Sequence, residues 1–217
     1  MANGKQTGES DPNIITLGVL SAIEENERAT QRAISEELGI ALGLANAYLK
    51  RCVKKGFVKV QHIPANRYAY YLTPTGFAEK SRLTADYLSM SFNFFRSSRE
   101  QCAEQFAACQ NRRWTRIALA GCGDLAEIFT LCRREDSDVN IVGIIDTSDS
   151  NVAPERFAGL PVVGRLTDLE KVHAVIVTDI QNAQRVYDRL SKSIPPERVL
   201  TAPLLKVSRK QPVLTDE

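Results

Sequence analysis

The chain has 217 residues, of which 43% are hydrophobic and 25% charged, as in ordinary globular proteins of one large or two small domains. This composition excludes global disorder, and no apolar run approaches the roughly 20 residues that span a bilayer. The polar amino terminus and five cysteines without a CxxC pair are typical of a reducing compartment, so we expect a cytoplasmic protein that neither enters a membrane nor binds a metal.

The net charge of +2 is distributed unevenly. No acidic residue lies between Glu37 and Glu79, whereas six basic residues do: Lys50, Arg51, Lys54, Lys55, Lys59 and Arg67. A local basic field in a nearly neutral chain is typical of a surface that contacts phosphates, although it is also compatible with a solvated helix face.

The amino-terminal third predicts a helix-turn-helix. After residues 1–12, which we expect to be a disordered tail, apolar residues at helical spacing indicate a first helix: Ile14, Leu17, Leu20 and Ile23. Thr30 is a candidate N-cap for a second helix over 31–38, and a third helix spans 42–55. Glycines mark the two helix ends, at Gly39 and Gly56. Two helices joined by a short turn with glycine have the spacing of a motif whose second helix enters the major groove of DNA.

A hairpin and a long helix follow. The β-prone runs 57–61 and 68–72 predict a wing, which completes a winged helix-turn-helix domain over 13–74. A helix over 75–112 carries an apolar seam with spacings of three, four and seven: Leu88, Phe92, Phe95, Cys102, Phe106 and Cys109. Such a seam favours helix packing, either in a dimer or against the winged domain of the same chain. Three leucines are predicted to be core: Leu38, Leu44 and Leu49.

The third helix supplies most candidate DNA contacts. We predict contacts to base edges from Asn46 and Lys50. Contacts to phosphates are predicted at the start of the second helix and the end of the third: Gln31, Arg32, Arg51, Lys54 and Lys55. The wing is placed to reach a minor groove through three residues: His62, Asn66 and Arg67. Winged folds also bind proteins, so an interaction adaptor remains an alternative.

From about Asn13 to Cys109 the chain resembles a known family. The likeness is strongest in SEELGIALGLANAYLKRCVKKGFVKVQ and YYLTPTGFAEKSRLTADYL. These tracts resemble the exopolysaccharide-associated, MarR-like winged-helix transcriptional regulators. The resemblance implies a DNA-binding regulator of polysaccharide genes.

Residues 113–205 alternate strands with helices, and this order predicts a small Rossmann-like domain with a doubly wound parallel sheet, followed by a tail over 206–217. The predicted strands are 116–120, 140–145, 160–163, 173–178 and 198–201. Helices are expected after the first strand to about Arg134, near 167–170, and over 182–192. The fold class is therefore α/β in two domains, a winged helix and a Rossmann-like sheet joined by the long helix.

A glycine turn follows the first strand of this domain. Gly121 permits a tight turn, Gly123 permits close approach of a pyrophosphate, and Asp146 ends the next strand, where it can hold a ribose. The candidate ligand-binding residues are Gly121, Cys122, Gly123, Asp124, Leu125, Asp146 and Thr178. Negative charge at Asp124 and Glu127 opposes phosphate binding, so a purely dimerising domain remains open.

The tracts GIIDTSDS, FAGLPVVGRLTDL and HAVIVTDIQNAQRVYDRL resemble the small Rossmann-like domain of polysaccharide-biosynthesis epimerase/dehydratases and sugar O-acyltransferases. This resemblance implies a nucleotide sugar at Gly121, Gly123, Asp146 and Thr178. The order of the domains is similar to that of the Rex redox-sensing repressors, which makes NAD(H) the second ligand candidate. Cys122, at a helix amino terminus, is either an oxidant-sensing thiol of low pKa or a small buried residue.

No constellation typical of catalysis is evident, and His173, Asp179 and Asp188 are expected to be structural, so we expect no enzymatic activity. The sequence therefore predicts a homodimeric transcription regulator that binds double-stranded DNA and a nucleotide-type effector. The alternatives are an NAD(H)-responsive redox regulator, an interaction adaptor with a dimerising carboxyl-terminal domain, and a vestigial sugar-nucleotide enzyme.

Overall fold

The computed structural model describes residues 11–63, 67–133, 138–148 and 154–209. The chain divides into two compact units, Met1–Phe92 and Asn93–Glu217, and the boundary falls inside one long helix. Among the helices of the described residues, none has the length and apolarity needed to span a bilayer.

Three helices open the first unit: α1 (Pro12–Glu25), α2 (Gln31–Glu37) and α3 (Leu42–Lys54). α1 begins two residues before the predicted start because the Asp11 carboxylate accepts a hydrogen bond from the Asn13 backbone N–H at 2.8 Å. Thr30 is confirmed as the N-cap of α2, since its hydroxyl oxygen accepts from the Ala33 N–H at 3.1 Å.

The core of the first unit forms where these helices meet. Its fully buried residues come from every helix of the unit, including Val19, Leu20, Ile23, Ile34 and Leu83. Ile14, the first residue of the predicted apolar pattern, is 43% exposed because the buried face of α1 runs through Ile15 and Val19. One prediction about this core is wrong. Leu44 is 41% exposed because α3 turns its neighbour Ala45 inward.

The wing is an antiparallel pair, β1 (Val58–Ile63) and β2 (Arg67–Leu72), with Val58 opposite Leu72. It leads directly into α4 (Pro74–Asn111), a helix of 38 residues. Gly76 lies so close to the wing that a Cβ there would come within 2.0 Å of the Phe57 carbonyl oxygen. The glycine therefore allows α4 to start against the base of the hairpin.

The apolar seam of α4 divides into two parts. Cys102, Phe106 and Cys109 are buried in the core of the second unit, so neither predicted partner of the seam covers them. They pack instead on the carboxyl-terminal sheet. Leu88 and Phe92 are 46% and 59% exposed, and Phe95 is also exposed.

The second unit contains a mixed sheet of six strands. The strands are β3 (Arg116–Ala120), β4 (Asn140–Ile145), β5 (Arg156–Phe157), β6 (Leu160–Val163), β7 (Ala174–Val177) and β8 (Val199–Thr201). Their order is β5-β6-β4-β3-β7-β8. All neighbouring pairs are parallel except β5–β6 at one edge, so the prediction of a wholly parallel sheet is wrong there. With two residues, β5 is too short to carry a periodic signal.

Helices cover both faces of this sheet. Ile117 and Leu119 of β3 pack with α4 and α5 (Asp124–Cys132), whereas Ala118 and Ala120 face α6 (Ala183–Leu190). This alternation is what a central strand with two buried faces requires. Short 3-10 helices complete the unit at Leu166–Asp168, Pro196–Arg198 and Pro203–Leu205. Past the predicted domain end, Ser208 and Gln184 exchange two hydrogen bonds that join this segment to α6.

Candidate nucleic-acid interface and ligand crevice

α3 buries one side and exposes the other. Ala45, Leu49 and Cys52 belong to the core. The exposed side carries residues spaced at four, three and four, which places them in one row: Gly43, Ala47, Lys50 and Lys54. The row begins with two small residues and ends with two lysines, and the space beside Gly43 is open. Such a row allows the first turns to approach base edges closely while the lysines contact phosphates.

The four cations predicted on α3 are all exposed: Lys50, Arg51, Lys54 and Lys55. Within the described part of the chain none of them forms an ion pair, and the Lys55 Nζ lies 5.5 Å from the centre of the Phe57 ring. Asn46 differs from them. It is half-buried, and its Oδ1 is enclosed without a hydrogen-bond partner among the described residues. The amide oxygen of this residue, which was predicted to contact base edges, is therefore turned into the protein.

The two phosphate contacts predicted at the start of α2, Gln31 and Arg32, already have partners within the protein. The Gln31 side-chain amide donates to the Tyr70 hydroxyl at 3.3 Å, which ties it to the wing. Arg32 is exposed but its Nε lies 3.1 Å from a Glu36 carboxylate oxygen. A pair this exposed is weak, so phosphate could displace Glu36 at little cost.

The wing places an aromatic pair near its tip. His62 and Tyr68 stand edge to face with ring centroids 5.3 Å apart, and both are exposed. Lys59 adds an exposed cation on β1. Of the other predicted wing contacts, Asn66 lies outside the described residues, and Arg67 is described only as backbone of β2.

A groove of about 390 Å³ separates α3 from the wing. It is lined by Gln31, Leu49, Lys50, Val53, Lys54, Val60, Tyr68 and Tyr70. Its floor is apolar and aromatic, and among the described residues that line it the charged ones are the two lysines. Val53, Val60 and Tyr68 were not predicted to line this surface. For Val53 the sequence does carry a signal, because the inward positions of Ala45, Leu49 and Cys52 on the helical wheel place it on the exposed side.

The second candidate site lies at the carboxyl ends of β3, β4 and β7. Gly121 adopts φ 115°, and a Cβ there would come within 2.6 Å of the Asp179 backbone nitrogen. The Thr178 hydroxyl donates to the Gly121 carbonyl oxygen at 2.8 Å. Gly121 and the loop after β7 are therefore packed directly against each other. Gly123 differs, because nothing lies within 4 Å of the space where its Cβ would be.

The carboxylates of this crevice already have partners. Asp146 accepts from the Ser148 backbone N–H and hydroxyl, each at 2.9 Å. Asp179 accepts from the Thr147 hydroxyl at 2.7 Å and from the Asn182 N–H at 2.8 Å. These bonds order the loops after β4 and β7. The arrangement offers hydroxyl and carboxylate oxygens to a polar, sugar-like group rather than cations to a phosphate.

Several predicted crevice residues have structural roles. Leu125 is fully buried in the core, and Thr178 is buried with its hydroxyl bonded to the turn. Asp124 is exposed in the first turn of α5, whose N-cap, Gly123, offers no side-chain hydrogen bond. Burial raises the pKa of the half-buried Cys122 thiol to about 11, and the nearby Asp146 charge adds to the effect. Both effects oppose the low-pKa sensor thiol and favour the alternative of a small, partly buried residue at Cys122.

Comparison with known proteins identifies the amino-terminal unit. Residues 12–59 match the family model described as winged helix-turn-helix DNA-binding. The match covers less than half of the chain and leaves the second unit without an assignment. A comparison with curated proteins gives no match. With the fold described above, the first unit is a winged helix-turn-helix DNA-binding domain, a type of domain that transcription regulators carry.

Solved structures give a more distant likeness. The chain is 20% identical to the Staphylococcus aureus MepR in its DNA complex, over 39% of this chain and 61% of that one, with a TM-score of 0.34. It is also 20% identical to MepR, described as a transcription regulator of the multidrug efflux pump MepA, over 50% of this chain and 80% of that one, with a TM-score of 0.36. The chain thus spans less than two thirds of the MepR chain in the DNA complex. At these TM-scores the likeness carries no conclusion about function.

Proposed function

We propose that the chain is a DNA-binding transcription regulator in which α3 lies in the major groove. The observation that supports this proposal is the exposed row Gly43, Ala47, Lys50 and Lys54, with small residues first and lysines last. Within the described residues neither lysine forms an ion pair, so the charges of both are available to phosphates. The resemblance of this half to regulators of polysaccharide genes supports such genes as targets.

We infer that the second unit binds a nucleotide-type effector and acts by this means rather than by catalysis. The parallel strands run in the spatial order β6-β4-β3-β7-β8, which is third, second, first, fourth and fifth along the parallel set. This order supports a Rossmann-like assignment, in which ligands bind where the order reverses, beside β3. The open turn at Gly123 and the ordered Asp146 lie at that position. A nucleotide sugar is favoured over NAD(H) by the resemblance of this unit to domains of polysaccharide-biosynthesis enzymes.

The exposed part of the α4 seam supports a homodimer. Leu88, Phe92 and Phe95 lie on one side of the helix, and Tyr87 and Met90 add further exposed apolar surface. Pairing with a second copy would bury this surface and would place two α3 helices at two half-sites on DNA. α4 also carries core residues of both units, Leu83 and Cys102, so it is the element through which an effector would influence DNA binding.

The test is the salt dependence of DNA binding. The full chain is titrated onto a fluorescent duplex selected from a random library, and the association constant is followed by anisotropy from low to high salt. If Lys50 neutralises a phosphate in addition to its predicted base contact, and Arg51, Lys54, Lys55 and Lys59 each contact a phosphate, the log–log slope is about −4.5. The variants K50A and K54A should each flatten this slope by about 1.

The matched control is K192A, which removes an exposed lysine of the second unit. It should leave both slope and affinity unchanged. A slope near zero for the parent chain, or equal effects of K50A and K192A, would refute the placement of α3 on DNA and favour an interaction adaptor.

A further inference from the structure

Two cysteines of the second unit face each other where α4 packs against α5. The Phe106 and Phe129 rings meet edge to face with centroids 5.8 Å apart, which fixes the register of the two helices. Cys102 precedes Phe106 by about one helical turn, and Cys132 follows Phe129 by about one turn. Cys102 lies in the buried core of this unit and Cys132 packs against the same core, so an antiparallel packing of these segments brings the two thiols close to each other. Each thiol perturbs the pKa of the other.

We propose that Cys102 and Cys132 are a redox pair that a peroxide converts into a reversible intramolecular disulfide. Both cysteines are reduced in the structure. Within the described residues, no interaction with a second thiol involves Cys52, Cys109 or Cys122. The proposal does not rest on the proposed function in transcription.

The two thiols have different environments, and this difference assigns their roles. Cys132 is half-buried at the end of α5, and the charge of Arg99 favours its thiolate. Cys102 is completely buried. Burial raises the pKa of both thiols above the ordinary value, so the reaction should be slow at neutral pH and faster at alkaline pH. Cys132 is therefore the attacking thiol and Cys102 the resolving thiol.

The chemistry needs only the peroxide. The Cys132 thiolate attacks one peroxide oxygen, the O–O bond breaks, and sulfenic acid and water form after proton transfer. The Cys102 sulfur then attacks the sulfenic sulfur, the S–O bond breaks, and a second water leaves as the disulfide forms. One peroxide is reduced to two waters, and two thiols are oxidised. A thiol reductant reverses the step.

The disulfide would join the second half of α4 to the end of α5. It would close a loop of about 30 residues that contains β3 and the glycine turn, and closing such a loop stabilises the fold. Oxidation should therefore raise the melting temperature of the second unit by several degrees. The only tryptophan of the chain, Trp114, belongs to this unit and reports its unfolding selectively.

The experiment uses the full chain, reduced and then treated with hydrogen peroxide at pH 8. Remaining thiols are blocked in denaturant, and tryptic peptides are sequenced by mass spectrometry. Cys102 and Cys109 share one tryptic peptide, and Cys122 and Cys132 share another, so the C109S/C122S variant gives an unambiguous assignment. We expect a Cys102–Cys132 link in the parent and in this variant, and its loss with dithiothreitol.

A second measurement covers the case in which a variant folds poorly. In C102A, dimedone should trap a sulfenic acid at Cys132, whereas the parent should form the disulfide with little dimedone adduct. Oxidation should raise the Trp114 melting temperature of the parent and leave that of C132S unchanged. The absence of the link in the parent, a link through other cysteines in similar yield, or a dimedone adduct on Cys122 instead of Cys132 would each overturn the proposal.

Discussion

Replacing Gly121 by alanine should destabilise the second unit strongly. The added Cβ would come within 2.6–2.8 Å of three Asp179 atoms, two of them backbone, and the φ of 115° lies in a region that alanine rarely adopts. Backbone strain of this kind costs about 1–3 kcal/mol, and overpacking costs about 1–3 kcal/mol more. We therefore expect a loss of about 2–6 kcal/mol in the free energy of unfolding.

The assay is urea unfolding followed by the fluorescence of Trp114, which lies in the second unit. With a urea dependence of about 2 kcal/mol per molar, the midpoint should fall by about 1–3 M. The matched control is Gly123→Ala, because nothing occupies the space beside Gly123 and its φ of −164° is ordinary extended backbone. Its cost should stay below about 1 kcal/mol. Equal costs for the two variants would refute the assignment of Gly121 to packing against Asp179.

Two further predictions concern the second unit. The His173 Nδ1 accepts hydrogen bonds from the Thr115 and Arg116 backbone N–H groups at 3.1 and 3.2 Å, so H173F should cost about 1–3 kcal/mol in the Trp114 urea assay, while H173N, which keeps an acceptor, should cost less. Equal losses in H173F and H173N would show that the acceptor is not the cause. D146A should weaken binding of a nucleotide sugar about tenfold in calorimetric titration, because a hydroxyl would lose its acceptor. The exposed-site control E155A should bind like the parent, and a D146A affinity equal to that of E155A would remove Asp146 from the ligand site.

Sequence patterns predicted the local elements well because their causes are local. Thr30 caps α2 through its own side chain, and Gly39 and Gly56 have φ values of 62° and 74°, so residue type alone indicates where α2 and α3 end. The apolar seam of α4 was equally visible. Its partner was not, because Cys102 and Phe106 meet a sheet that forms from residues later in the chain.

In the candidate sites, too, the features with local causes were predictable from the sequence, and those that depend on tertiary packing were not. The exposure of the α3 lysines follows from composition and helical spacing, whereas the inward Oδ1 of Asn46 depends on packing within the domain. Likewise, Thr178 has the residue type and the strand-end position of a ligand contact. It is nevertheless buried and bonded to the Gly121 carbonyl, a pairing across the sheet that no local pattern encodes.

The two glycines of the turn explain why the glycine motif alone is a weak guide to ligands. One glycine is needed because the protein itself fills the adjacent space, as Asp179 does at Gly121. The other is bordered by open space, as at Gly123, and only there does the missing side chain leave room for something else. A sequence motif has glycine at both positions and does not distinguish the two cases. Since only the second is free to admit a ligand, the effector hypothesis depends on the surroundings of Gly123 and Asp146, and the stability of the turn depends on Gly121.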